Sequence, residues 1–230
     1  MFRTIVTSAG LAVALAILPP AAPAQKAAPN AREKEAKLIA TLNKADASRK
    51  AKADACRELA AVGTAEAVPP LAALLSSEEL GHMARYGLEP IPDPAVDVAL
   101  RDAMGKLKGN LLVGVIGSVG VRRDPKAVPA LVQKLGDPDA EVAAAAARAL
   151  GRIGNRDAAE ALEKALGTMP AACRVNACEG LFRAADALRT QGQRREARAI
   201  YEKLASAEVP EYVKDAAKRA EQGLEQARGR

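Results

Sequence analysis

The chain has 230 residues, a formal net charge of +6, no tryptophan, two phenylalanines, three tyrosines and one histidine. Alanine and leucine dominate, strand formers are sparse and alternating apolar patterns are absent, which excludes a sheet-built fold and predicts an all-α class. The positive charge raises nucleic acid as a partner. Too few aromatics stand ready to stack on bases, however, and lysines and arginines interleave with acids as solvated helix faces, as in Arg32-Glu33-Lys34-Glu35.

Residues 1–24 read as a signal peptide. Arg3 supplies the positive start, Ile5 to Leu18 the apolar run, Pro19-Pro20 a break, and Ala22-Pro23-Ala24 a small-residue cleavage pattern before Gln25. The run is shorter than the ~20 residues of a spanning helix. Export to a periplasm or the cell exterior is the expectation, with no stable membrane insertion after cleavage; an uncleaved anchor is the alternative. Residues 25–31 read as a flexible leader.

Arg32 to Lys44 predicts a capping helix carrying Leu38, Ile39 and Leu42. After a turn at Asp46-Ala47-Ser48, Arg49 to Val62 reads as a helix with Ala55, Cys56, Leu59 and Val62 inward, stopped by Gly63. Thr64 to Leu75 predicts the next helix, with Pro69 and Pro70 tolerated in its first turn. Ser76-Ser77-Glu78-Glu79 reads as a capping box for a helix through Leu88. Pro90 and Pro92 break it, and Asp93-Pro94 starts a helix to Lys106.

Asn110 to Val119 is the most apolar stretch after the signal, and its glycines suit close helix contacts. Asp124-Pro125 opens a helix ended by Gly136, and Asp137-Pro138 opens the next. That one, with its successor, is VAAAAARALGRIGNRDAAEALEKAL (142–166). Two apolar stripes are broken at Gly154-Asn155-Arg156, with Asp157 the N-cap candidate of the second. Further on lie a long helix from Ala171, a turn at Gln191-Gly192-Gln193, a helix from Glu196 to Ala205, and a charged last helix from Tyr212.

Leu71, Leu100, Leu131 and Leu162 recur at intervals of 29, 31 and 31. A period near 30 with two helices per unit predicts an α-solenoid: a hairpin that cannot bury its own stripe needs copies of itself on either side. The array is placed at 32–168 and a C-terminal helical pair with a cap at 169–230.

Three cysteines in an exported chain invite a disulfide, but Cys173 and Cys178 lie five apart on one helix, ~7.5 Å along its axis and on different sides. Cys56 is several repeats away. All three read as small buried hydrophobes.

The segments AAARALGRIGNRDAAEALEKAL and SVGVRRDPKAVPALVQKLGDPDAEV resemble HEAT-like repeats of the short kind found in the phycobilisome-lyase-type family. The element A-x-x-A-L-G-x-I-G stands at Ala146, Ala149, Leu150, Gly151, Ile153 and Gly154, with the Asp137-Pro138-Asp139 turn before it. The resemblance covers roughly Ala53 to Leu166, extends to secreted bacterial HEAT-repeat proteins, and implies a right-handed superhelix of hairpins. At the C-terminal end, Ala185 to Ala197 with Tyr201 is similar to a tetratricopeptide hairpin, an alternative to a longer HEAT-like pair.

No haem, zinc, phosphate-loop or nucleophile-elbow motif occurs. His82, the one histidine, reads as a surface residue rather than a base, and Glu78 and Glu79 as helix-start residues. No catalytic residue, metal or cofactor is assigned. The function expected is a non-catalytic, monomeric scaffold that binds a protein through its concave face. The candidate partner surface is His82, Arg85, Tyr86, Glu89, Arg122 and Arg123, since Tyr and Arg most often anchor interfaces. The alternatives are a lyase-like or chaperone-like maturation factor for a bound prosthetic group, which the family resemblance implies, or a docking segment of a secreted enzyme.

Overall fold

The computed structural model describes residues 29–169 and 171–226; the predicted signal peptide (1–24) and residues 25–28 of the predicted leader lie outside the described residues. Twelve α-helices follow one another among the described residues, with no strand. They are α1 (Pro29–Asn43), α2 (Arg49–Val62), α3 (Val68–Ala73), α4 (Gly81–Leu88), α5 (Pro94–Lys106) and α6 (Gly109–Arg122), then α7 (Val128–Lys134), α8 (Ala140–Ile153), α9 (Arg156–Leu166), α10 (Ala171–Thr190), α11 (Arg194–Ser206) and α12 (Glu211–Gln226). Pairs α2/α3 through α10/α11 stack in sequence order between α1 and α12, so the fold is an α-solenoid. One layer is α2-α4-α6-α8-α10; the other is α3-α5-α7-α9-α11.

The four periodic leucines sit on α3, α5, α7 and α9, and each is fully buried. Complete removal of a leucine side chain from water contributes about 1.5–3 kcal/mol, so this ladder is a main source of cohesion between the layers. α8 has neighbours on both sides in its own layer as well as α7 and α9 beneath it, and ten of its fourteen residues are buried. That explains its run of alanines: a helix packed on several sides has no room for long side chains.

Helix starts follow short polar caps, but not always the expected ones. The cap of α9 is Asn155, whose side chain accepts from the Ala158 N–H at 2.9 Å, and Asp157 stands inside the first turn. Likewise α8 is capped by Asp139, which accepts from Glu141 N–H, while Asp137 bonds the Asp139 N–H. Thr64–Leu75 is a 3-10 turn (Ala65–Ala67) running into α3, and Pro125–Ala127 enters α7 the same way. Ser77 does bond the Leu80 N–H, yet α4 begins only at Gly81.

The ends of the stack are latched by charge. Glu35 on α1 is buried and accepts from both the N–H (2.5 Å) and the hydroxyl (2.8 Å) of Thr64, which itself caps the following 3-10 turn. At the other end Arg198 on α11 reaches Glu221 (2.9 Å) and Glu225 (3.0 Å) on α12. Glu35→Ala is expected to cost about 1–3 kcal/mol by stranding the Thr64 donors. Its readout is faster hydrogen exchange in α1 with α8 unchanged.

Cys56, Cys173 and Cys178 are buried and free. Burial pushes the Cys56 thiol up to about 11 and moves Cys178 in the same direction. A thiol whose folded pKa is raised leaves stability intact below the ordinary value of 9.0 and erodes it as pH rises toward 11. Urea midpoints are therefore expected to fall between pH 9 and 11, and Cys56→Ser to flatten part of that decline.

Candidate functional site

Three of the six predicted surface residues share the outward face of α4. His82 and Tyr86 are exposed, Tyr86 at 54%, and Arg85 lies between them, half-buried. Arg85 extends toward α6, where a Cβ on Gly114 would come within 2.7 Å of its Cζ and Nε. A glycine at 114 is what lets the guanidinium rest on the neighbouring helix. His82, Arg85 and Arg123 have no hydrogen-bond or ion-pair partner among the described residues.

Glu89 and Arg122 are used inside the molecule. Arg122 spends all five N–H donors on one joint. Nε and Nη2 grip the Asp97 carboxylate (2.6 and 3.1 Å), Nη1 donates to the carbonyls of Glu89 (3.1 Å) and Ile91 (2.5 Å), and Nη2 also reaches that of Asp93 (3.2 Å). In the proline-broken link between α4 and α5 the Asp93 carbonyl also takes the Val96 N–H of α5 (3.1 Å). Those of Glu89 and Ile91 have no helical donor, and the end of α6 supplies one. The Glu89 carboxylate accepts from the buried Ser118 hydroxyl at 2.7 Å. Arg123 is exposed at the C-terminus of α6 with φ 54°, a left-handed cap. Asp124 is buried, caps the 3-10 turn after α6 and pairs with Arg101. Arg122 therefore keeps no donor for a partner, and Arg123 lies at the hairpin end, away from the middle of the α4 face.

Two residues absent from the predicted set belong beside Arg85. Arg148 and Arg152 lie one turn apart on the outward side of α8. Arg152 has no partner among the described residues; Arg148 donates to Asn176 at 3.1 Å. A Cβ on Gly120 would lie 3.4 Å from the Arg152 Cδ, so this side chain also leans onto α6. The signal was available: two basic residues at i,i+4 on an otherwise alanine-rich helix mark the one face that is not packed.

The first layer is knit closely by small residues. A Cβ on Gly87 would stand 2.9 Å from the Cys56 carbonyl oxygen, one on Gly120 2.9 Å from Ala149 Cα, and one on Gly151 2.5 Å from Gly180 Cα. The second layer is looser. A groove of about 510 Å³ separates α7 from α9, floored by Val132, Leu135, Ala161 and Met169, with Glu160 and Lys164 on its rim. A groove of about 330 Å³ separates α3 from α5 at the equivalent register. Among the described residues no three His, Cys, Asp or Glu side chains are grouped as a metal ion would require, and no helix is long and apolar enough to cross a membrane.

Among solved structures the chain is similar to an engineered protein at 21% identity, covering 84% of this chain and 97% of that one with a TM-score of 0.48. A designed armadillo repeat protein aligns at 19% identity over 82% of this chain and 98% of its own, with a TM-score of 0.46. A search of curated proteins returns no match. Residues 92–181, from the start of α5 into α10, match the family model described as HEAT repeats, so the resemblance expected over Ala53 to Leu166 is found over a stretch that starts later and runs further.

Proposed function

We propose that this chain is an exported, monomeric, non-catalytic scaffold of short HEAT-like repeats of the phycobilisome-lyase-like, secreted type. In this reading it binds a protein partner on the outward face of the α2-α4-α6-α8-α10 layer. The observation that carries it is the contrast in how charge is used. On α2, Asp54 is shared by Lys50 and Arg57, and on α10 Glu179 takes Arg183 and Asp186 takes Arg189. In the middle of the same layer His82, Arg85 and Arg152 stand without partners beside exposed Tyr86 and Val121. An apolar and cationic patch of this composition is what an interface anchor looks like before its partner arrives.

Layer spacing supports the concave side as its location. Helices brought together through glycine and alanine sit closer than those separated by grooves, and a stack bends toward its tighter layer. The test is affinity capture with the mature chain from its own envelope fraction, read by mass spectrometry. A partner held by the wild type and lost with H82A/R85A/Y86A is the expected result; unchanged capture removes this face. For export, the chain recovered from that fraction is expected to begin at Gln25, and a recovered chain that still carries residues 1–24 contradicts cleavage.

A further inference from the structure

Resting on the scaffold reading, we infer that the partner contributes an acidic, extended segment that lies along α6 between Arg85 and Arg152. Charge complementarity carries this. Across α4, α6 and α8 a single carboxylate, Glu141, stands against Arg85, Arg122, Arg148 and Arg152, and Arg122 is spent on its joint. Arg85 lies over Gly114 and Arg152 over Gly120, from opposite sides of α6. Six residues of helix separate those two points, about 9 Å. Between them Gly117 is open, with nothing within 4 Å of where a Cβ would be, and Val121 is 51% exposed.

Those features specify the occupant. Two carboxylates three residues apart in an extended chain are separated by about 10 Å, at roughly 3.3 Å per residue, close to the axial offset between the points at which Arg85 and Arg152 lean onto α6. The residues between them would lie over a floor with no charged side chain, and Tyr86 and Val121 offer that stretch an apolar contact. A polyanion with a charge on every unit would set charges against this apolar floor, so a peptide fits better than a polysaccharide.

The probe is a fluorescein-labelled peptide carrying two glutamates separated by two leucines, titrated into the mature chain and followed by anisotropy. A control peptide has glutamines in place of the glutamates. The glutamate peptide is expected to bind at least tenfold tighter than the control, and R85E/R152E to abolish that difference. Gly117→Leu, whose Cβ meets nothing within 4 Å, is expected to weaken binding about tenfold while circular dichroism is unchanged and the melting temperature does not fall. Equal binding of the two peptides overturns the inference, as does a heparin oligosaccharide that competes fully and ignores Gly117→Leu. Partner capture that persists in R85E/R152E while H82A/R85A/Y86A loses it leaves the scaffold standing and removes the acidic segment.

Discussion

Arg122→Ala is expected to destabilise the fold by about 3 kcal/mol, among the largest effects of any single exposed-to-buried boundary residue in the chain. The Arg122 side chain is only 13% exposed and that of Asp97 24%, so water cannot simply replace the lost contacts. Truncation leaves that carboxylate without its counter-charge and strands the carbonyls of Glu89 and Ile91 in the α4–α5 link, while that of Asp93 keeps the Val96 N–H. Leaving partners buried and unsatisfied costs more than the net worth of the bonds themselves. Arg122→Lys is expected to recover little, because a point ammonium with three donors cannot reproduce a planar fork serving four acceptor groups. Urea denaturation checks both; a loss under 0.5 kcal/mol for Arg122→Ala would mean the joint is not what holds the second and third pairs together.

Gly151→Val is expected to cost at least as much, about 3 kcal/mol or more, by forcing α8 and α10 apart. A Cβ at 151 meets the Gly180 Cα at 2.5 Å and its carbonyl oxygen at 2.6 Å, and both are backbone atoms with no rotamer to yield. Gly180→Ala collides in the same way with the Ala147 carbonyl at 2.7 Å. Gly117→Ala provides the contrast: its Cβ meets nothing, so the gain in helix propensity should stabilise by about 0.5–1 kcal/mol. Opposite signs for glycines on neighbouring helices of one layer would separate close approach from any general effect of glycine in a helix.

Much of this architecture was legible in the residues because burial repeats. Leu71, Leu100, Leu131 and Leu162 mark a stripe that only a stacked neighbour can cover, and they are buried as that logic requires. Cap positions were less legible. Asn155 and Asp157, or Asp137 and Asp139, are equally able to accept an N–H, and the choice depends on where the preceding turn releases the chain. The glycine contacts were visible only as a general allowance for close packing on α6, since Gly87, Gly151 and Gly180 announce nothing until their facing backbones are known.

The candidate surface divided for a similar reason. His82, Arg85 and Tyr86 at i, i+3 and i+4 had to share a face if α4 formed. Arg122 was indistinguishable from Arg123 by residue type, and the three carbonyls and the carboxylate that claim it have no local sequence signature. Arg148 and Arg152 sit in an alanine-rich stretch whose pattern specifies the packed side of α8 and leaves the role of its open side unspecified.

The most direct test of the proposed binding face is site-specific photocrosslinking with a captured partner. A photoreactive amino acid placed at Tyr86 or Val121, on the first layer, is expected to crosslink to the partner. The same group at Val98 or Val132, exposed at 48% and 39% on the second layer, is expected to give none. Crosslinks from Val98 and Val132 with silence at Tyr86 and Val121 would contradict the account.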